Sequence, residues 1–243
     1  MARPEPAASP AAKVAPTIDR GLPVLTVGLL ALLAVVFCLE NVFALSPAAM
    51  LSPGWGSQVA LGADGRDLVV RDGEWWRMVT ACLLHGSPGH IIGNSIVLFF
   101  TGWYLERLIG RAWFGAAFVI GGLGGSVAAL LMNPHDMVGV GASGAIMGLL
   151  ATAFVCSFHV EAFEGRGKAQ RRIAFQVLPA LIPSHGGGGG GATVDYSAHA
   201  GGAIAGVALG FLILALWPET QARPILRRWA LGVGLAGALA AVV

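Results

Sequence analysis

Few side chains in this sequence could do chemistry inside so apolar a chain, and they fall in three places. Ser143 stands in the run Gly139-Val140-Gly141-Ala142-Ser143-Gly144-Ala145-Ile146-Met147-Gly148, which opens an apolar stretch reaching Val160. Read as packing, Ser and Gly are small residues that let a neighbouring membrane helix come close. Read as chemistry, Ser143 is a nucleophile, and a serine attacks only when a nearby base removes its proton. His199 is the candidate base, with packing against a backbone carbonyl as the alternative. His85, His90 and Asn94 form the third group, and the last two are one helical turn apart. As packing they are interhelical hydrogen-bonding residues. Beside a Ser-His pair they become oxyanion donors, because both side chain types can present N–H groups to a developing alkoxide.

Composition places these residues in a membrane. The 243 residues are 56% hydrophobic and 12% charged, with 36 glycines and a mean hydropathy of +0.73. A soluble domain carries about twice that charge. The net charge of +2 is dispersed, which argues against nucleic acid as a partner, since phosphate binding needs a basic surface. Cys38, Cys82 and Cys156 are odd in number and lack CxxC spacing. They read as buried hydrophobes, and neither a metal site nor a cofactor is expected.

Residues 1–20 are rich in Ala and Pro and cannot bury enough apolar surface to fold, so a disordered tail is expected there. Leu22 to Leu39 is an uncharged run of 18 that continues to Leu45. It exceeds the ~7–15 residues of a signal-peptide core and reads as a retained span. Residues 46–89 form a mixed outer loop containing Glu74-Trp75-Trp76-Arg77, a cluster suited to the water–lipid boundary. Further spans are expected at His90 to Leu105, Ala112 to Met132, Met137 to Val160 and Tyr196 to Trp217. Ile173 to Pro183 makes a short fifth span before the connector Gly186 to Gly191, and Trp229 to Val243, where the chain ends, makes a seventh.

Charge orients these spans. Arg3, Lys13 and Arg20 precede the first. Arg107 and Arg111, then Arg166, Lys168, Arg171 and Arg172, then Arg223, Arg227 and Arg228 occupy every second connection, whereas 133–136 and 184–195 carry no Lys or Arg. The positive-inside pattern therefore puts the N-terminus in the cytoplasm. Spans four and six then start on the outer side. Counted from Met137 and Tyr196, Ser143 and His199 lie roughly 9 and 5 Å in at 1.5 Å per helical residue, on one level. Gly202 and Gly206, at i+3 and i+7 from His199, leave that face bare for a close neighbour. Span two brings His85, His90 and Asn94 to the same side.

Five motifs in this order resemble those of the rhomboid intramembrane serine proteases: Trp76-Arg77, His85 with His90-x-x-x-Asn94, Gly141-Ala142-Ser143-Gly144, Ala198-His199-Ala200-Gly201-Gly202, and Gly206 beyond it. The match covers roughly residues 70 to 216. It implies an all-α polytopic bundle with a six-helix core over 21–217, and an appended seventh helix within 218–243. It also implies a Ser143–His199 dyad acting through an acyl-enzyme without a carboxylate. Its oxyanion would be held by the Ser143 N–H, His90 and Asn94, and Gly141 would bend the active-site loop. Trp76 and Arg77 resemble structural loop residues of the family, and Asp195 is not expected to complete a triad. Transmembrane protein substrates in the lipid bilayer are the implied partners, cut near the outer face, and the Gly- and Ala-rich composition without an organelle-targeting pattern suggests a bacterial inner membrane. Two features depart from the family pattern: Met147 stands where many members have tyrosine, and the fifth span is short. An inactive rhomboid-like binding protein and a transporter are the rival readings. The first usually loses the serine or histidine, and the second needs polar groups through the full depth. Neither a substrate's identity nor an oligomeric state is legible in the sequence.

Overall fold

The computed structural model describes residues 14, 17–45, 51–159, 166–181 and 194–240. The connector Gly186 to Gly191 lies outside these, as do residues 1–13. The first helix, α1 (Val24–Val42), follows Pro23 and is capped from a distance. The backbone N–H groups of Leu25 and Thr26 donate to the Glu106 carboxylate at 3.0 and 2.7 Å, and the Thr26 hydroxyl adds a bond of 2.7 Å. An acid at this end satisfies donors that a helix cannot pair internally.

The outer loop is folded rather than extended. It holds α2 (Trp55–Leu61), strand β1 (Asp64–Gly65), a wide helical turn over Asp67–Arg71, α3 (Arg77–Thr80) and a tight turn over Ala81–Leu83. Next come α4 (Pro88–Ile109) and α5 (Arg111–Met132), joined at Gly110, whose φ of +88° makes the reversal. Strand β2 (Val138–Gly139) pairs antiparallel with β1, Asp64 opposite Gly139. The remaining helices are α6 (Ser143–Cys156), α7 (Arg166–Leu181), α8 (Tyr196–Ala215) and α9 (Arg227–Ala240).

Seven helices of 14 residues or more, among the described residues, make a multi-pass membrane bundle. α1, α5 and α8 are each long and apolar enough to cross, and α6 is a shorter apolar helix. α6 sits inside, against α5 and α8, because glycines remove the side chains between them. A Cβ on Gly121 would come within 2.9 Å of Gly148 Cα, and one on Gly125 within 3.2 Å of Gly144 Cα. Leu98, Leu105, Phe114, Ile146, Leu149 and Ile213 fill the core around this contact. α9 lies on α5, with Gly234 against Ala116.

Several boundaries differ from the sequence expectation. Residues 137–142 are not helical, so the 1.5 Å rise does not apply there, and Ser143 is the first residue of α6 rather than the seventh of a span. α7 begins at Arg166, within the charged connection, because Lys, Arg and Gln are good helix formers and polarity alone does not stop a helix. Glu106, expected to end the second span in a connection, is only 3% exposed and continues α4 to Ile109. Cys38 is exposed on α1 whereas Cys156 is buried, since an apolar residue of a membrane span has no need of cover from the protein. At the edge of the tail, Asp19 N–H donates to the Arg107 carbonyl (3.0 Å), and its carboxylate lies 3.3 Å from Arg223.

Candidate active site

The site is assembled from three segments. Ser87 caps α4, its hydroxyl accepting from His90 N–H at 3.3 Å, and Pro88 follows at the first helical position. His90 and Asn94 thereby fall on the first two turns, one above the other. His85 precedes the cap and is fully buried. Its ring meets that of His90 edge-on at 5.0 Å, and its Nε2 lies 2.9 Å from Asn94 Nδ2. Burial lowers the His85 pKa to about 3, and the neighbouring His90 adds to the effect, so the ring is neutral.

The second segment turns the chain into the serine. Gly139 N–H donates to Asp64 Oδ1 at 3.1 Å, and Gly141 N–H donates to the Ala81 carbonyl at 2.8 Å. Gly141 then adopts φ +125°, a conformation that side chains rarely tolerate. A Cβ there would stand 2.6 Å from His90 Cε1 and Nε2 and 3.5 Å from Asn94 Nδ2. The bend thus lies directly against the two candidate oxyanion side chains. Ser143 follows two residues later as the first residue of α6, where backbone N–H groups have no partner within the helix.

His199 arrives on α8, in the first turn, and is 6% exposed. Its helix is pressed onto α6, for a Cβ on Gly202 would fall on the Gly144 carbonyl oxygen, and one on Gly144 would lie 3.3 Å from the Ala198 carbonyl oxygen. His199 and Ser143 are therefore carried by backbones in contact. Among the described residues no hydrogen bond joins the two side chains, and His199 Nδ1 is buried without a partner. Catalytic hydrogen bonds are often long before substrate binds. His90 and His199 are near enough to interact electrostatically.

Other sequence-selected residues support the frame. Asp195 accepts from Ala198 N–H (2.9 Å) with one oxygen, capping α8, and from Asn133 Nδ2 (2.7 Å) with the other, tying the start of α8 to the end of α5. Buried Arg77 donates to the carbonyls of Val59 and Ala63 at 2.7 and 3.0 Å, pairs with Glu74 at 2.6 Å, and lies 4.6 Å over the Trp76 ring. Gly206 is two turns below the site, packed on Gly148, with its carbonyl accepting from Thr152 at 3.0 Å. Met147 packs at the edge of the core. Sequence reasoning passed over Tyr196, whose ring meets His199 edge-on at 6.4 Å. Its spacing of three residues on α8 was a legible signal. It also passed over Glu40 and Asp64, whose roles depend on remote partners. Among the described residues no group of three His, Cys, Asp or Glu could hold a metal ion.

The rhomboid domain family model matches residues 72–216, from the outer loop through α8. The chain belongs to the rhomboid family. It is 35% identical over 151 residues to YdcA of Bacillus subtilis, a match covering 61% of this chain and 72% of that protein. It is 36% identical over 173 residues to RHOMBOID-like protein 5 of Arabidopsis thaliana (68% and 52%). Rhomboid protease GluP of Bacillus subtilis is 32% identical over 148 residues (61% and 28%). The chain thus spans most of the first relative and about half or less of the other two. Rhomboid membership makes it a multi-pass membrane protein and supports intramembrane proteolysis as its class of activity.

Proposed function

We propose that this rhomboid is a serine endopeptidase that cleaves transmembrane segments near the outer face of a bacterial inner membrane, with its N-terminus in the cytoplasm. The observation that carries the reading is the Gly141 bend, which starts α6 at Ser143 and lays the chain against His90 and Asn94. In the reaction, His199 takes the proton of Ser143 Oγ as the oxygen attacks the scissile carbonyl. The Ser143 N–H, His90 and Asn94 hold the resulting oxyanion. Collapse expels the amine, which takes the proton back from His199 and leaves an acyl-enzyme. Water activated by His199 then releases the second product and restores Ser143. No carboxylate is needed to orient His199, and the two oxygens of Asp195 are engaged elsewhere, one capping α8 and the other accepting from Asn133 at the end of α5. The chain needs no cofactor for these steps. An inactive binding protein of the same family usually lacks the serine or the histidine, and both are present here.

The test reconstitutes the protein with a single-span reporter carrying small residues near its outer membrane boundary. Ser143→Ala and His199→Ala are each expected to abolish cleavage, and a fluorophosphonate probe is expected to label the wild type but not Ser143→Ala. Undiminished cleavage in either variant would overturn the dyad. A wild type that resists the probe while other membrane serine hydrolases are labelled would favour the binding-protein reading.

A further inference from the structure

Two buried polar residues lie behind the candidate site, and the reaction above uses neither. Glu40 is in the last turn of α1 and is 1% exposed. A carboxyl withdrawn from water needs donors, and the His85 backbone N–H supplies one, bonding both oxygens at 3.1 and 3.0 Å. The His85 ring is held in turn. Its Nδ1 lies 3.3 Å from the Leu83 carbonyl oxygen. A carbonyl only accepts, so Nδ1 carries the proton, and Nε2 of the neutral ring is an acceptor. Nε2 receives Asn94 Nδ2 at 2.9 Å.

This chain of bonds decides which end of the Asn94 amide faces the site. Nδ2 donates one proton to His85, and the same nitrogen is the Asn94 atom nearest the Gly141 bend, 3.5 Å from the place of a Cβ there. Its second proton is left for the site. With the amide reversed, an oxygen would stand in that place and repel an oxyanion. Reversal would also set that oxygen's lone pairs against the lone pair of His85 Nε2.

We infer that Glu40 and His85 are positioning residues that lock the Asn94 amide with its nitrogen toward the Gly141 bend, so that the first span sets the polarity of the oxyanion side. The inference rests on the reading of Asn94 as an oxyanion donor.

The test compares kcat and KM on the reporter for Glu40→Ala, Glu40→Gln, His85→Ala, Asn94→Ala and the double variant His85→Ala/Asn94→Ala. Asn94→Ala is expected to lower kcat by ~10²-fold, as for loss of one oxyanion donor. His85→Ala lowers it by ~10-fold with KM within ~2-fold, and the double variant is no worse than Asn94→Ala, since both act through one group. Glu40→Ala follows His85→Ala, whereas Glu40→Gln, whose side-chain oxygen still accepts the His85 N–H, stays within ~3-fold of wild type. Additive losses in the double variant, or equal losses in Glu40→Ala and Glu40→Gln, would overturn the inference.

A second measurement does not depend on activity, and its first readout needs no variant. In 15N-histidine NMR of the wild type, His85 is expected as the Nδ1–H tautomer, with an Nε2 resonance that shifts in Asn94→Ala. An Nε2–H tautomer, or an Nε2 resonance indifferent to Asn94, would overturn the lock. If Ser143→Ala cleaves normally the active-site reading fails by itself, and the spectrum still decides the lock.

Discussion

Gly141 carries more of the candidate site than its lack of a side chain suggests. Its φ of +125° is available to glycine, and the space a Cβ would occupy is already filled by the His90 ring 2.6 Å away. Gly141→Ala must therefore strain the backbone, at ~1–3 kcal/mol, and push His90 off the bend. We expect a folded protein with a lowered thermal midpoint in detergent and a loss of kcat of ~10²-fold or more, the scale of one oxyanion donor. Wild-type kcat in this variant would mean that the bend does not set the site. Ser143 and His199 stand out in the sequence as candidates because a hydroxyl in a glycine-punctuated run and the lone imidazole of its span are unusual in apolar stretches. Glu40 does not, because a single acid inside a run that continues to Leu45 carries no mark of its partner. Its role depends on a donor 45 residues away in the chain.

At the scale of elements, the outer loop is latched to the strand that leads into Ser143. Asp64 sits in β1, opposite Gly139 of β2, and accepts the Gly139 N–H. Burial raises the Asp64 pKa from 3.8 to about 7, Asp195 adds like-charge repulsion, and the Gly139 bond offsets only part of this. With a folded pKa above the unfolded one, the folded state binds more protons between the two values. The contribution of Asp64 to stability is thus fully present below about pH 4 and is lost as pH rises to about 7. The thermal midpoint of the wild type is expected to fall between pH 5 and pH 8 by more than that of Asp64→Asn, which has no proton to lose. Equal falls in the two proteins would remove Asp64 from this role. The fifth helix shows the converse limit of sequence reading. Its charges read as a connection, yet α7 runs from Arg166, since local helix propensity is indifferent to where a membrane boundary lies.

Across the whole molecule, the relative depth of Ser143 and His199 depends on three helices packed through glycine. Gly125 of α5, Gly144 and Gly148 of α6, and Gly202 and Gly206 of α8 bring backbones within side-chain distance. Without a hydrophobic drive between helices in lipid, such close packing is a main source of association. A methyl on Gly202 has no room beside the Gly144 carbonyl, so Gly202→Ala must part α6 from α8 at the level of Ser143 and His199. Overpacking of this kind costs ~1–3 kcal/mol, and fluorophosphonate labelling is expected to fall with the thermal midpoint. Gly232→Ala, where a Cβ meets nothing within 4 Å, is expected to change neither.

The sequence by itself determined the helical membrane class, the number of long helices, and the order in which Ser143, His199, His90 and Asn94 enter the bundle. Hydropathy and the spacing of small and polar residues are local properties, readable one span at a time. Only the tertiary structure decided where α6 begins, that Glu106 caps α1 from 80 residues away, and that Asp64 holds Gly139 from 75 residues away. The reason is the same in each case. A buried polar group is tolerated only when a partner reaches it, and the partner comes from a segment that no window along the chain contains.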